Sequence, residues 1–342
     1  MKTLSIIVPL YRESHETVDK AIVAMKNLQY PDKEVIFVFE PEESHFVQFV
    51  RSRGFDAILT DGENKSKANS LNVGFKHSTG DIIALYDADT EPEPEQALKA
   101  IRALEEGYDV VSGYILAATD TFLQKMRAID LLDYCSALTV NSLPLLFGFS
   151  HYMRREVVEE LGGWDGDTVV EDTDFSFKLQ LFGYKVGIIN SPIYSESSRG
   201  FKNMLLQRAR WMKGGYQVVH KWFGHSSKLP FWQRIEFVIM KISQYGNLLS
   251  MPILLLLVYN LYLLLIGVRA YYLWILPLVF LVEYAIILFV ITNRQLVKLN
   301  GVSIIDYLIY PIYRWVFWSL SVLVGFIELK RRPLYWHRTV RE

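Results

Sequence analysis

Three short polar segments carry residue types whose spacing suits chemistry. Asp87-Ala88-Asp89-Thr90 follows the apolar run Asp81–Tyr86. In extended backbone, residues two apart project to one side, so Asp87 and Asp89 are expected to point together. Paired carboxylates are hard oxygen ligands for Mg2+ or Mn2+, ions that commonly hold substrate phosphates as well. Such an ion neutralises charge on a departing diphosphate. The plainer reading is a surface turn, where Asp and Thr are common. Glu171-Asp172 sits in the acidic stretch Glu171-Asp172-Thr173-Asp174 after Gly162-Gly163-Trp164. Carboxylates suit a helix N-terminus, but several acids exceed what one cap needs, and a carboxylate facing a hydroxyl can act as general base. In Gln207-Arg208-Ala209-Arg210-Trp211, helical spacing puts Gln207, Arg210 and Trp211 on one face. The guanidinium suits a diphosphate through paired charge-assisted hydrogen bonds, and the indole suits the flat side of a sugar. The structural alternative is a ring and a cation that anchor a helix to lipid.

The elements that must position these groups fall in two regions. From Met1 to about Arg199, short apolar runs (Leu4–Pro9, Glu34–Phe39, Ala57–Thr60, Asp81–Tyr86) alternate with helical patterns (Glu16–Leu28, Lys67–His77). That alternation predicts a Rossmann-like α/β fold: a mostly parallel sheet with helices on both faces and a ligand crevice at the carboxyl ends of its strands.

From about Phe237 the physics changes. Gln244–Val268 has no charged residue, Leu273–Thr292 has only Glu283, and Leu308–Ile327 only Arg314. Each is long enough to span a bilayer, which takes about 20 apolar residues, and tyrosines and tryptophans crowd their ends. Between the regions, Phe201–Phe237 mixes Trp211, Trp222, Phe223 and Trp232 with Lys213, Lys221, Lys228 and Arg234, a composition suited to interfacial helices. The expected layout is a cytoplasmic catalytic domain over 1–200, interfacial helices over 201–236, transmembrane helices over 237–328 and a basic cytoplasmic tail over 329–342. The basic tail argues for an even number of crossings. Either Phe237–Val268, interrupted by Gly246 and Pro252, makes two short passes, or one segment, with Ile304–Ile327 the candidate, is interfacial.

Composition excludes other classes. With 342 residues, 51% hydrophobic, and a formal net charge of −1, the chain lacks the basic field of a nucleic-acid binder. Its single cysteine, Cys135, excludes an internal disulfide framework and a cysteine zinc site. The start, Met1-Lys2-Thr3-Leu4, shows no signal-peptide pattern, so the first region is expected on the cytoplasmic face of a multi-pass cell-membrane protein.

Taken in order, these motifs make the chain resemble the membrane-bound family-2 glycosyltransferases of GT-A fold, the branch that includes cellulose, hyaluronan, chitin and poly-N-acetylglucosamine synthases. Ser5–Glu13 is similar to the family's first strand and nucleotide-binding turn, P-x-Y-N-E, which implies nucleotide-sugar contacts at Pro9, Tyr11 and Glu13. Lys65–Gly74 is similar to K-x-x-A-L-N-x-G and makes Lys67 a phosphate-side candidate. Asp87-Ala88-Asp89 matches the metal motif, with Asp87 also facing the donor, and Glu171-Asp172 matches T-E-D, whose last residue serves as base. Gln207, Arg210 and Trp211 match Q-x-x-R-W, associated with diphosphate and acceptor, and Trp336–Arg341 resembles a tail that closes over the nucleotide. Arg12 stands where the family has Asn, Val170 where it has Thr, and Glu40 in place of the common D-D, where it is expected to contact base or ribose. The resemblance implies inverting transfer from a nucleotide-diphosphate sugar, a UDP-sugar for choice, to a growing polysaccharide, or alternatively to a membrane lipid. Asp172 would be the base and Glu171 its catalytic neighbour. Asp87 and Asp89 would hold the metal, and Trp211 with Asp172 would face the acceptor. Rival classes are a transporter with a nucleotide-binding domain, which needs polar residues along a membrane path, and a metal-dependent nucleotidyltransferase or phosphohydrolase.

Overall fold

The computed structural model describes residues 2–63, 65–138, 148–195, 200–268 and 301–331, together with Leu146, Leu278, Val282 and Ala285. Most of the expected span Leu273–Thr292 and the motif Trp336–Arg341 lie outside the described residues. The strands are β1 (Leu4–Pro9), β2 (Lys33–Phe39), β3 (Asp56–Leu59), β4 (Ile82–Tyr86), β5 (Thr90–Pro92), β6 (Val110–Ala117), β7 (Ser150–Arg154) and β8 (Val186–Ser195). The helices are α1 (His15–Asn27), α2 (His45–Ser52), α3 (Lys67–His77), α4 (Gln96–Glu105), α5 (Phe122–Leu138), α6 (Arg155–Leu161), α7 (Glu171–Phe182), α8 (Phe201–Trp222), α9 (Phe231–Leu265) and α10 (Ile304–Arg331).

Alternation along β1 shows why the sheet is covered on both faces. Leu4, Ile6 and Val8 pack into one core with residues of α1, α2 and α4, whereas Ile7 points the other way into a core shared with α3, α6 and α7. The strands form one sheet in the order β3-β2-β1-β4-β7-β6-β8-β5. Pairs β1–β2, β1–β4, β2–β3 and β6–β8 are parallel, while β4–β7, β6–β7 and β5–β8 are antiparallel. The sheet is therefore mixed, which corrects the expectation of a mostly parallel one. The strand-helix alternation of the first half does form the parallel part. The reversal comes from β7, which enters between β4 and β6 against their direction, pairing Ser150 with Tyr86. This brings the start of β7 to the carboxyl end of β4.

The second region is helical. Helix α9 runs unbroken for 35 residues through Gly246 and Pro252, about 52 Å at 1.5 Å per residue. The alternative of two short passes over Phe237–Val268 is thereby corrected. A proline inside a helix removes one hydrogen bond and introduces local strain without ending this one. The first turns of α9 pack on the catalytic region, with the Phe237 and Phe177 rings 4.9 Å apart. Among the described residues one helix segment, Ile304–Gly325, is long and apolar enough to cross a membrane, and 50% of it is buried within the protein.

Candidate active site

A cleft opens at the carboxyl ends of β1 and β4, lined by Pro9, Lys67, Tyr86, Asp87, Gly148, His151, Trp164, Glu171 and Asp172, with Leu71 and Leu85 beneath. Its empty space is about 260 Å3, including the part open to solvent. Each group arrives for a local reason. Pro9 ends β1. Asp87 is the first residue after β4, and its carbonyl accepts a hydrogen bond from Thr90 N–H at 3.2 Å. Asp87 and Asp89 thus sit on a tight turn at the strand end, not on continuing extended backbone. Lys67 opens α3, whose N-cap Ser66 accepts from Asn69 N–H, as small hydroxyl residues do at helix starts. Glu171 and Asp172 open α7, where the helix dipole favours negative charge.

Lys67 joins the three segments. Its Nζ lies 2.6 Å from Asp87 Oδ1 and 3.0 Å from Glu171 Oε1, and it donates to the Gly148 carbonyl at 3.1 Å. A Cβ on Gly148 would stand 3.0 Å from both Lys67 Nζ and Asp172 Oδ2, so a larger residue there would press on both of these groups. Burial alone would lower the Lys67 ammonium, but Asp87, Glu171 and Asp172 outweigh it and raise it. For Glu171, burial pushes upward, yet Lys67 holds the carboxyl below the ordinary range. Asp172 behaves oppositely: burial and then the Glu171 charge push it up to about 6, against the pull of Lys67, Thr173 N–H and Arg210. Asp87 is also raised, by burial and by the charges of Asp89 and Glu171, with Lys67 opposing. The cleft therefore gathers more negative charge than Lys67 offsets. Carboxylate donors of this kind suit a hard divalent cation.

Helix α8 fixes the segment that carries Glu171 and Asp172. Arg210 Nη1 donates to the Val169 carbonyl at 3.4 Å, and Val169 N–H donates to Gln217 Oε1 at 3.0 Å. Gly214 leaves room for Val170, since a Cβ there would fall 2.5 Å from the valine methyls. One turn further, Lys221 Nζ lies 2.7, 2.9 and 3.0 Å from Asp165, Asp167 and Asp174, and Trp222 Nε1 donates to Asp174 at 2.7 Å. These three carboxylates are close enough together to hold a metal ion, but the Lys221 ammonium already sits among them. Residues 210, 214, 217 and 221 share one helix face, and that face grips residues 165–174.

The other expected residues lie around this centre. Tyr11 and Glu13 follow β1, and the Arg12 guanidinium lies 5.1 Å from the Tyr11 ring centroid. Arg12 adopts φ +55°, the only non-glycine among the described residues with positive φ. Glu13 N–H donates to the buried Glu43 carboxylate at 3.2 Å. Glu40 follows β2 and is buried, accepting from Thr60 Oγ1 at 2.7 Å and Ser70 Oγ at 3.4 Å. Burial raises its carboxyl. Gln207 and Trp211 lie on α8, and the half-buried Trp211 packs against three hydrophobic clusters. None of these residues lines the cleft itself. Sequence reasoning missed Gly148, His151 and Lys221. The glycine and histidine flanking the start of β7 are a readable signal only once that strand is known to reach the cleft.

An α/β sheet with a carboxylate-rich cleft at its strand ends belongs to the α/β class that binds ligands at that edge. Residues 82–288, more than half of the chain, match the model for glycosyl transferase family group 2, and the chain belongs to that family. It is 27% identical over 371 aligned residues to a probable glycosyltransferase of Bacillus subtilis, YdaM, covering 99% of this chain and 86% of that protein. It is 21% identical to the poly-beta-1,6-N-acetyl-D-glucosamine synthase of Staphylococcus epidermidis, across 96% of this chain and 84% of that one. Its fold is similar to the mannosyltransferase PcManGT from Pyrobaculum calidifontis, solved in complex with GDP-Man and Mn2+, with a TM-score of 0.60 at 17% identity over 96% of this chain and 86% of that chain. The protein is a glycosyltransferase.

Proposed function

We propose that the protein transfers a sugar, with inversion, from a nucleotide-diphosphate sugar to a saccharide acceptor at a membrane. The observation that carries this reading is the cleft itself: Lys67 Nζ lies 2.6 Å from Asp87 and 3.0 Å from Glu171, and Asp172 lines the cleft beside them with its carboxyl raised by burial and by Glu171. A base whose pKa lies near the working pH removes a hydroxyl proton efficiently. Asp172 takes that proton as the acceptor oxygen bonds to the anomeric carbon, and the bond from that carbon to the diphosphate breaks on the opposite side. Lys67 and Arg210 stabilise the negative charge gathering on the leaving group. A divalent ion, Mg2+ or Mn2+, held by Asp87 and Asp89 would supply further charge neutralisation there. Pro9, Tyr11, Glu13 and Glu40 border the nucleotide side, and Gln207 and Trp211 the diphosphate and acceptor side. A polysaccharide acceptor is favoured by the polysaccharide synthase among the relatives, with a polyprenyl lipid the second reading.

Membrane attachment is supported by apolar side chains that face outward. Leu255, Val258, Leu264 and Leu265 on α9 are all more than half exposed, as are Ile304, Ile305 and Ile327 on α10, and contiguous exposed apolar surface of this kind suits lipid. Helix α10 stays against the catalytic region: the Phe317 ring lies 5.5 Å from Phe201, and a Cβ on Gly325 would stand 2.9 Å from the Ala209 carbonyl. We read α10 as interfacial and α9 as a crossing, with residues 1–200 on the cytoplasmic side. The test is a panel of UDP-glucose, UDP-N-acetylglucosamine and GDP-mannose with Mn2+. Each is offered with N-acetylglucosamine oligosaccharides, mannose oligosaccharides or a polyprenyl phosphate. Release of nucleoside diphosphate in step with glycosylated product is expected. Release of pyrophosphate or inorganic phosphate instead would overturn the reading.

A further inference from the structure

Away from the cleft, one ion pair is almost wholly buried. Arg208 Nη2 lies 2.6 Å from Asp130 Oδ2, with side chains 1% and 2% exposed. The pair joins three helices: Asp130 belongs to α5, Arg208 to α8, and from α10 Tyr310 Oη donates to Asp130 Oδ1 at 2.6 Å and Trp318 Nε1 at 3.3 Å. Removing a charge pair from water costs several kcal/mol per ion and is seldom favourable for stability alone, so its placement calls for a reason. The guanidinium carbon supplies one. It stands 4.1 Å from the centroid of the Trp211 ring and 5.4 Å from that of Trp318. Positions 208 and 211 are one helical turn apart, and a guanidinium is a flat cation that stacks on indole.

We infer that Arg208, itself oriented by Asp130, is a positioning residue that holds the Trp211 ring for the acceptor and ties that ring to α10. Arg208 covers one face of the indole and so sets the angle at which the ring meets the acceptor side. Asp130 holds the guanidinium through Nη2, and Tyr310 and Trp318 hold Asp130. A helix with an outward apolar surface is in this way mechanically joined to the acceptor side of the site. This rests on the reading of Trp211 as an acceptor platform.

Two kinds of variant of the full chain, purified in detergent, separate positioning from stability. Asp130→Leu with Arg208→Met removes both charges and leaves none unpaired, an exchange that folded proteins commonly tolerate. Arg208→Lys keeps the charge for Asp130 but loses the planar stack. With the donor and acceptor from the panel that the wild type turns over best, both variants should raise the acceptor KM about tenfold, the scale of a lost desolvated cation–π contact. Donor KM should stay within about twofold, which is within a few tenths of a kcal/mol. Oxidation of Trp211 by N-bromosuccinimide, followed by peptide mass spectrometry without any substrate, should be faster in both. Trp211→Ala tests the underlying reading: an unchanged acceptor KM there would remove the platform itself. A raised acceptor KM in Trp211→Ala together with wild-type acceptor KM and wild-type oxidation in Arg208→Lys would overturn the positioning role alone.

Discussion

The protein contains two clusters in which carboxylates converge on one lysine, and they do opposite things. Around Lys221, Asp165, Asp167 and Asp174 are all within 3.0 Å of the ammonium, and Lys178 adds a second cation 2.9 Å from Asp165. Around Lys67, only Asp87 and Glu171 are that close, and Asp172 is left with a carboxyl raised to about 6. In the first cluster two ammoniums touch all three carboxylates and hold a loop, although burial still raises the Asp174 carboxyl. The second leaves Asp172 with a raised carboxyl beside an open cleft, the position that the proposed reading gives to the base. The same residue types thus yield a clamp or a reactive centre according to how many acids each ammonium satisfies.

The largest expected effects break the reactive cluster. Asp172→Asn should lower turnover by roughly a thousandfold, in the range that general-base catalysis supplies, with nucleotide binding nearly intact. Asp89→Ala should lower turnover comparably and also weaken Mn2+-dependent nucleotide binding, measured by calorimetry. Asp172→Asn should at the same time stabilise the fold at neutral pH. The folded protein binds that proton more tightly than the unfolded chain, so the carboxylate costs stability, and this cost grows as pH rises from 3.8 through about 6. Near-normal turnover in Asp172→Asn would remove it as the base.

Exchanging the two lysines sharpens the contrast. Lys67→Met should abolish transfer at a smaller cost in stability, because Asp87 keeps a third of its side chain exposed although Glu171 is buried. Lys221→Met should act on stability, leaving Asp174 buried without its ammonium, at a cost of about 3 kcal/mol or more. Thermal melts and kcat of the folded fraction separate these outcomes. Equal loss of activity in both variants at equal stability would erase the distinction.

What was legible in the sequence follows the range of the interactions. Strands β1 to β4 and helices α1 and α3 were readable because each carries its own hydrophobic period. Asp87, Glu171 and Asp172 were readable as acids at element ends, and Lys67 through its motif. The reversed β7 was not, since a five-residue strand, Ser150–Arg154, has too few residues to show a period and its direction is set by distant partners. Lys221 read as a lipid-facing cation because the acids it binds are 47 to 56 residues away. Asp130 sits inside an otherwise helical run, and its partner Arg208 is 78 residues on. The apolar run Leu308–Ile327 gave no sign that half of its helix would be buried against α5 and α8.

The pH dependence is a gentler probe of the same cluster. With Asp172 as base, kcat should be flat above about pH 7 and fall about tenfold per unit below about pH 6. A profile unchanged down to pH 4.5 would mean that no carboxyl with this raised value takes part.

The smallest effect concerns Arg12. Its φ of +55° is a conformation that costs a non-glycine residue about 1 kcal/mol and that Asn adopts more readily. Arg12→Asn should raise the melting temperature by about 2 °C or more, the scale expected for this size, with donor KM changed little.

The stereochemistry of the product tests the central claim most directly. If Asp172 activates the acceptor hydroxyl for a single displacement, proton NMR of the first product formed must show the anomeric configuration opposite to that of the donor sugar. A product that keeps the donor's configuration would contradict the account.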